Sequence, residues 1–233
     1  MADPIPPFRR RFTLSRPTPT TVAAELEDHI HHVSVTVEHH DGLVTAVDGR
    51  GIRLPWTLCP GAVPQLQDLV GRPVGTRPAG IDAASHCTHL LDCAEGAVRF
   101  AGTDVPARRV DLTVVDAEPG VSTATARRDD GVELVVQSDG RTILEPDPYR
   151  GRAIGAGFSR WAIEELDPDQ SELALLLRRA IWMRLSVLID LDEYEVLRQS
   201  GVPEGSCFAS QPQRIDVARR NRGSSLVAGQ RFS

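Results

Sequence analysis

The stretch Ile30-His31-His32-Val33-Ser34-Val35-Thr36-Val37-Glu38 decides the fold class. His31, Val33, Val35 and Val37 alternate with His32, Ser34 and Thr36, and an extended strand sends alternate residues to opposite faces. The valine face belongs on a core, and His31 goes with it. The face carrying His32, Ser34 and Thr36 belongs to solvent or to the wall of a pocket. His39-His40-Asp41-Gly42 then reads as a turn, and Leu43–Val47 and Gly51–Leu54 as further strands, so that Thr21–Trp56 is β-rich throughout.

Downstream the period changes. A short helix is expected over Ala62–Val70, begun by Pro60 and Gly61 and stopped by Gly71. A longer one is expected over Ile81–Phe100. Arg109–Ala117, Val121–Arg128 and Val132–Gln137 alternate again and are separated by turn residues. After Glu145–Gly157 the chain reads as helical, with Phe158–Leu166 as one segment. Asp167 caps the next helix, Pro168 occupies its first turn and Gln170 the capping-box position, and this helix is expected to reach Leu191. Strands, then a helix, then strands, then helices predict an α+β fold, with antiparallel sheet packed against a central helix and a C-terminal helical segment. No Gly-x-Gly-x-x-Gly follows a strand, which argues against a dinucleotide fold. The expected organisation is an extended N-terminal arm over 1–20, one α+β domain over 21–215 and a polar tail over 216–233.

Composition narrows the chemistry. The 233 residues are 41% hydrophobic and 25% charged, ordinary values for a globular protein. The net charge of −6 gives no global support to nucleic-acid binding, and no apolar run approaches the ~20 residues of a membrane helix. All 26 basic residues are arginine. A Schiff-base lysine, a pyridoxal-phosphate anchor and a phosphate-loop lysine are therefore excluded. Cys59, Cys87, Cys93 and Cys207 contain no Cys-x-x-Cys pair, and the first twenty residues lack an apolar signal core. Reduced thiols in a cytoplasmic setting are the expectation.

On a helix over Ala83–Phe100, the residues Ala83, Cys87, Leu90, Leu91, Ala94 and Val98 form one stripe, with Cys87 near its centre as a core residue. His86, His89 and Cys93 stack at its border with i, i+3, i+7 spacing. Two nitrogens and a sulfur at that spacing suit three corners of a zinc site, with Cys59, Cys207 or water as the fourth. Without a metal, His89 serves as an acid/base oriented by Asp28 or Asp92, and His32 on the polar sheet face is a further catalytic candidate. Arg179 and Arg184 interrupt an apolar helix. Arg184 forms an internal ion pair with Glu172, Asp190 or an acid elsewhere, or Arg179 or Arg184 reaches a pocket and binds the anionic group of a substrate.

Four stretches belong together: Leu58-Cys59-Pro60-Gly61-Ala62, Leu69-Val70-Gly71, His86-Cys87-Thr88-His89-Leu90-Leu91-Asp92, and Cys207 with its polar neighbours. In this order and spacing they resemble a bacterial family catalogued as domain of unknown function 2889, over about Leu26 to Ile215. The family often carries glycine at the position of His86. The resemblance implies a compact bacterial domain and no particular chemistry.

The reading that unites these residues is an enzyme of lyase, isomerase or hydratase type. It would act on an anionic or carbonyl-bearing small metabolite through histidine acid/base chemistry, with no redox cofactor. A zinc hydrolase using His86, His89 and Cys93 is the second reading. A non-catalytic ligand-binding or assembly subunit, whose N-terminal arm docks on a second copy, is the third.

Overall fold

The computed structural model describes residues 5–78, 80–227 and 232. Eight strands, β1 (Phe8–Thr18), β2 (Thr21–Asp28), β3 (His32–His40), β4 (Leu43–Arg53), β5 (Ala107–Glu118), β6 (Val121–Arg128), β7 (Glu133–Ser138) and β8 (Ile143–Glu145), lie in the order β4-β3-β2-β1-β5-β6-β7-β8. Three α-helices accompany them: α1 (Thr88–Ala101), α2 (Phe158–Glu165) and α3 (Pro168–Met183). The pairs β2–β3, β3–β4, β5–β6, β6–β7 and β7–β8 are antiparallel. The fold is α+β, as the order of periods predicts. The chain divides into two compact units, one of Phe12–Arg108 with Asp190–Leu226, the other of Met1–Arg11, Arg109–Ile189 and Val227–Ser233. These boundaries differ from the single stretch 21–215 expected.

In the first unit, Val33, Val35 and Val37 of β3 stand opposite Leu26, Ala24 and Val22 of β2, and all six are buried. Burying a valine or leucine side chain contributes roughly 1.5–3 kcal/mol, which fixes the register, because a one-residue slip would expose the whole row. The β3–β4 loop is Asp41-Gly42, with φ of 48° and 77°. Two left-handed residues between paired His40 and Leu43 form the tight hairpin whose twist matches the strands. Helix α1 packs on β2 and β3.

That helix is shorter than Ile81–Phe100. Asp82 accepts the Ala84 N–H and starts a single 3-10 turn over Ala83–Ser85, after which His86 and Cys87 are extended. Cys87 is the N-cap of α1, so the helical face joining His86 to His89 and Cys93 does not exist.

The N-terminal residues also differ from expectation. Phe8–Thr18 is strand β1 within the sheet, with Phe8, Arg10, Phe12 and Leu14 buried in alternation. The buried Arg10 hid this pattern; its guanidinium lies over the Phe8 ring, 5.4 Å from the centroid. Over these residues the arm is therefore part of the sheet. The start of the tail, as far as Ser225, is likewise built in. Ala218 and Arg220 are buried, and Arg220 bridges to Trp56 and donates to the Pro55 carbonyl and the hydroxyls of Ser224 and Ser225.

In the second unit α3 packs on β6 and β7. Asp167 accepts the N–H groups of Asp169 and Gln170, as the cap reading requires. Gln170 does not complete a capping box, since its Oε1 accepts the Tyr149 hydroxyl at 2.8 Å. The helix stops at Met183 instead of Leu191 and tightens into a 3-10 turn over Arg184–Leu188, where the Ser186 hydroxyl bonds back to the Met183 carbonyl.

Candidate functional site

Strand β2 ends at Asp28, a wholly buried carboxylate. Its Oδ1 accepts the N–H of Ile30 at 2.8 Å and of His31 at 2.7 Å, while its own N–H donates to the His31 carbonyl. This turn lifts His31 out of the strand before β3 begins and places its Nδ1 3.3 Å from Asp28 Oδ1. The direction of approach makes no hydrogen bond, and among the described residues His31 Nδ1 has no hydrogen-bond partner. His89, in the first turn of α1, lies against the face of this ring. The two imidazoles are stacked, with centroids 3.8 Å apart and planes 22° from parallel. His31 is 8% and His89 7% exposed, so solvent and small molecules meet only an edge of the pair.

Of the candidates, the structure brings Asp28 and His89 together and adds His31, which alternation had assigned to the core. The signal for His31 was present in the sequence as an Asp three residues before it, the spacing of a side-chain-closed turn. His32 stays on the polar face of β3. Its Nε2 is 2.5 Å from Glu25 Oε1, and Glu27, 3.7 Å from its Nδ1, also pairs with Arg53. Asp92 is half-buried on α1 and outside the Asp28–His31–His89 group.

The proposed zinc set is dispersed. His86 is fully buried, with Nδ1 2.9 Å from the Asp82 carbonyl and Nε2 2.9 Å from that of Gln65, so both nitrogens are engaged by the backbone. Cys93 is buried within α1. Burial pushes the Cys59 thiol well up and the Cys87 thiol up to about 11, although the His89 and Leu90 N–H groups act on Cys87 in the opposite sense. Cys207 is half-buried.

A different donor set is available. Asp28, His31 and His89 each offer one ligand atom, all within 4.8 Å of one another. Two imidazoles and a carboxylate suit zinc or a divalent iron-like ion. Face-to-face rings, however, send their in-plane lone pairs side by side. One ring must turn before both nitrogens meet one ion.

The two arginines lie in the other unit. Arg184 is buried and donates to Asp116 on β5, not to Glu172 or Asp190. Arg179 is half-buried on α3, its guanidinium 5.9 Å from the Trp182 ring. Its neighbour Arg178 donates to the Ile154 carbonyl and lines a small apolar crevice with Leu134, Val136, Tyr149 and Leu177. No helix among the described residues is long and apolar enough to cross a membrane. The chain matches no protein-family model, no curated protein and no solved structure. The family resemblance therefore rests on the four stretches quoted above.

Proposed function

We propose that the chain is an enzyme of lyase, isomerase or hydratase type, acting on a carbonyl-bearing small molecule through the His31–His89 pair. The contact of these rings beside Asp28 carries the reading. A neutral imidazole carries one N–H and one bare nitrogen, and two such rings lie in contact here. The pair offers an acid and a base side by side, as proton abstraction next to a carbonyl or addition of water requires. Asp28, held by two backbone N–H groups, stands 3.3 Å from Nδ1 of His31 and keeps its place beside that ring. In this reading His89 is the acid/base group. Arg179 and Arg184 are not needed for this assignment.

Proton exchange tests it directly. A panel of 2-oxo acids, 2-hydroxy acids and enolisable ketones is incubated with the protein in deuterated water and followed by proton NMR. Wild type should exchange or eliminate an α-proton in at least one member, and His89→Gln should reduce that rate by at least about 100-fold, the scale of a lost acid/base group. No exchange, hydration or elimination on any member overturns the proposal, as does His89→Gln matching wild type.

Asp28, His31 and His89 as ligands of a metal are the second reading, favoured by their 4.8 Å grouping. The ion would supply Lewis acidity for a hydrolysis, and the same three side chains would hold it.

A further inference from the structure

Cys87 and Cys207 flank a backbone hydrogen bond that joins their two segments. The Phe208 N–H donates to the His86 carbonyl at 2.8 Å, and Gln211 Nε2 donates to the Ala84 carbonyl at 2.6 Å. As one segment advances from 208 to 211, the other runs back from 86 to 84. In that sense Cys207, just before Phe208, adjoins Cys87, just after His86. All three backbones are extended, with φ and ψ of −107° and 162° at His86, −70° and 117° at Cys87, and −158° and 176° at Cys207. The Cα of Cys207 is joined through its own carbonyl carbon to the donor nitrogen of Phe208, and the Cα of Cys87 through its own nitrogen to the acceptor carbonyl of His86, so this one bond holds the two residues adjacent. Disulfides span roughly 4.4–6.8 Å between Cα atoms.

The thiols differ in access. Cys207 is half-buried, whereas Cys87 and Cys59 are buried. The three are near enough that charge on Cys207 opposes ionisation of both others. Cys87 is the N-cap residue of α1. The difference in access places an accessible thiol before a sheltered one, the order in which a peroxide-oxidised cysteine is resolved.

We propose that Cys207 and Cys87 are a modification site for hydroperoxides, closing to a disulfide on oxidation. The Cys207 thiolate attacks the outer oxygen of the hydroperoxide, the O–O bond breaks, and the departing alkoxide or hydroxide takes up a proton. Cys207 is then a sulfenic acid. The Cys87 sulfur attacks it and gives up its proton, the S–O bond breaks, and water leaves. Two thiols and one hydroperoxide become one disulfide, one alcohol (water, for hydrogen peroxide) and one water. The pair is independent of the proposed function of His31 and His89.

The test is a thiol count on the native chain after one equivalent of hydrogen peroxide, followed by blocking and mass spectrometry without reductant. Wild type should lose two of its four thiols, with Cys87 linked to Cys207, and a dithiol reductant should restore them. Cys87→Ser should leave a Cys207 sulfenic acid that a 1,3-dicarbonyl probe captures. Serine is a favoured N-cap residue, so this variant keeps α1. Cys207→Ser should retain its remaining thiols under the same exposure. Retention of all four thiols by wild type overturns the proposal, as does a link from Cys207 to Cys59 or equal thiol loss in the two variants.

Discussion

Arg184 donates from Nη2 to the Asp116 carboxylate at 2.5 Å, and the two ends of this pair differ sharply in solvation: the arginine side chain is 5% exposed, the aspartate 40%. Removing one partner therefore does not cost the same as removing the other. After Arg184→Met, Asp116 regains water. After Asp116→Ala, a buried guanidinium keeps its charge without its acid, a loss of on the order of 3–5 kcal/mol. Chemical denaturation should show Asp116→Ala as the more destabilised variant. The reverse order would mean that an anion other than Asp116 neutralises Arg184.

Arg128 is a hub. Its side chain is 3% exposed and pairs with Asp130, Asp169 and the buried Glu172 at 2.8, 2.6 and 3.3 Å. Arg128→Met takes the guanidinium away from the buried Glu172 carboxylate and should cost roughly 3–5 kcal/mol. Asp130→Ala alone leaves two acids on the arginine and should cost about 1 kcal/mol. Double-mutant cycles between position 128 and each acid check the partition, and Glu172 should show the largest coupling.

The ring geometry of His31 and His89 bears on metal binding. Stacked rings require a rotation before they share an ion, so a metal has to offset the lost contact. Adding zinc should raise the melting temperature by no more than about 1 °C, and chelation should leave it unchanged. A zinc-dependent rise of several degrees that His31→Gln and His89→Gln both abolish would establish the metal reading instead.

Cys87 should give the fold an alkaline sensitivity. Burial takes its thiol from 9.0 to about 11. Between these values the unfolded chain releases the proton while the folded chain holds it, so stability falls as pH rises through this window. Cys59 acts in the same direction. Urea denaturation of Cys87→Ser should therefore show a shallower decline from pH 9 to 11 than wild type, with no such pH effect near 7. Equal slopes would show that Cys87 does not contribute.

Gly96 lies mid-helix on α1, where alanine would ordinarily gain about 1 kcal/mol. A Cβ there would come within 2.6 Å of the Phe12 ring, which is fully packed on β1. Gly96→Ala should destabilise the fold, and Phe12→Leu should restore part of the loss in the same background.

What the sequence by itself determined was local. Alternation in Val33–Val37 and in β5, β6 and β7 identified strands, His39-His40-Asp41-Gly42 a turn, and Asp167-Pro168 a helix start. Each is a relation between residues two or three apart, where backbone sterics and one hydrogen bond decide the outcome. The tertiary structure alone decided that Arg10 is a core residue of β1, because an arginine stem buries as readily as its charge finds acceptors. It alone stacked His31 on His89, gave Arg184 to Asp116 instead of Glu172, and set Cys87 beside Cys207. These partners are far apart in the chain. Their meeting depends on which strand and helix surfaces pack, a choice made by the buried apolar area of whole elements and carried by no short-range pattern.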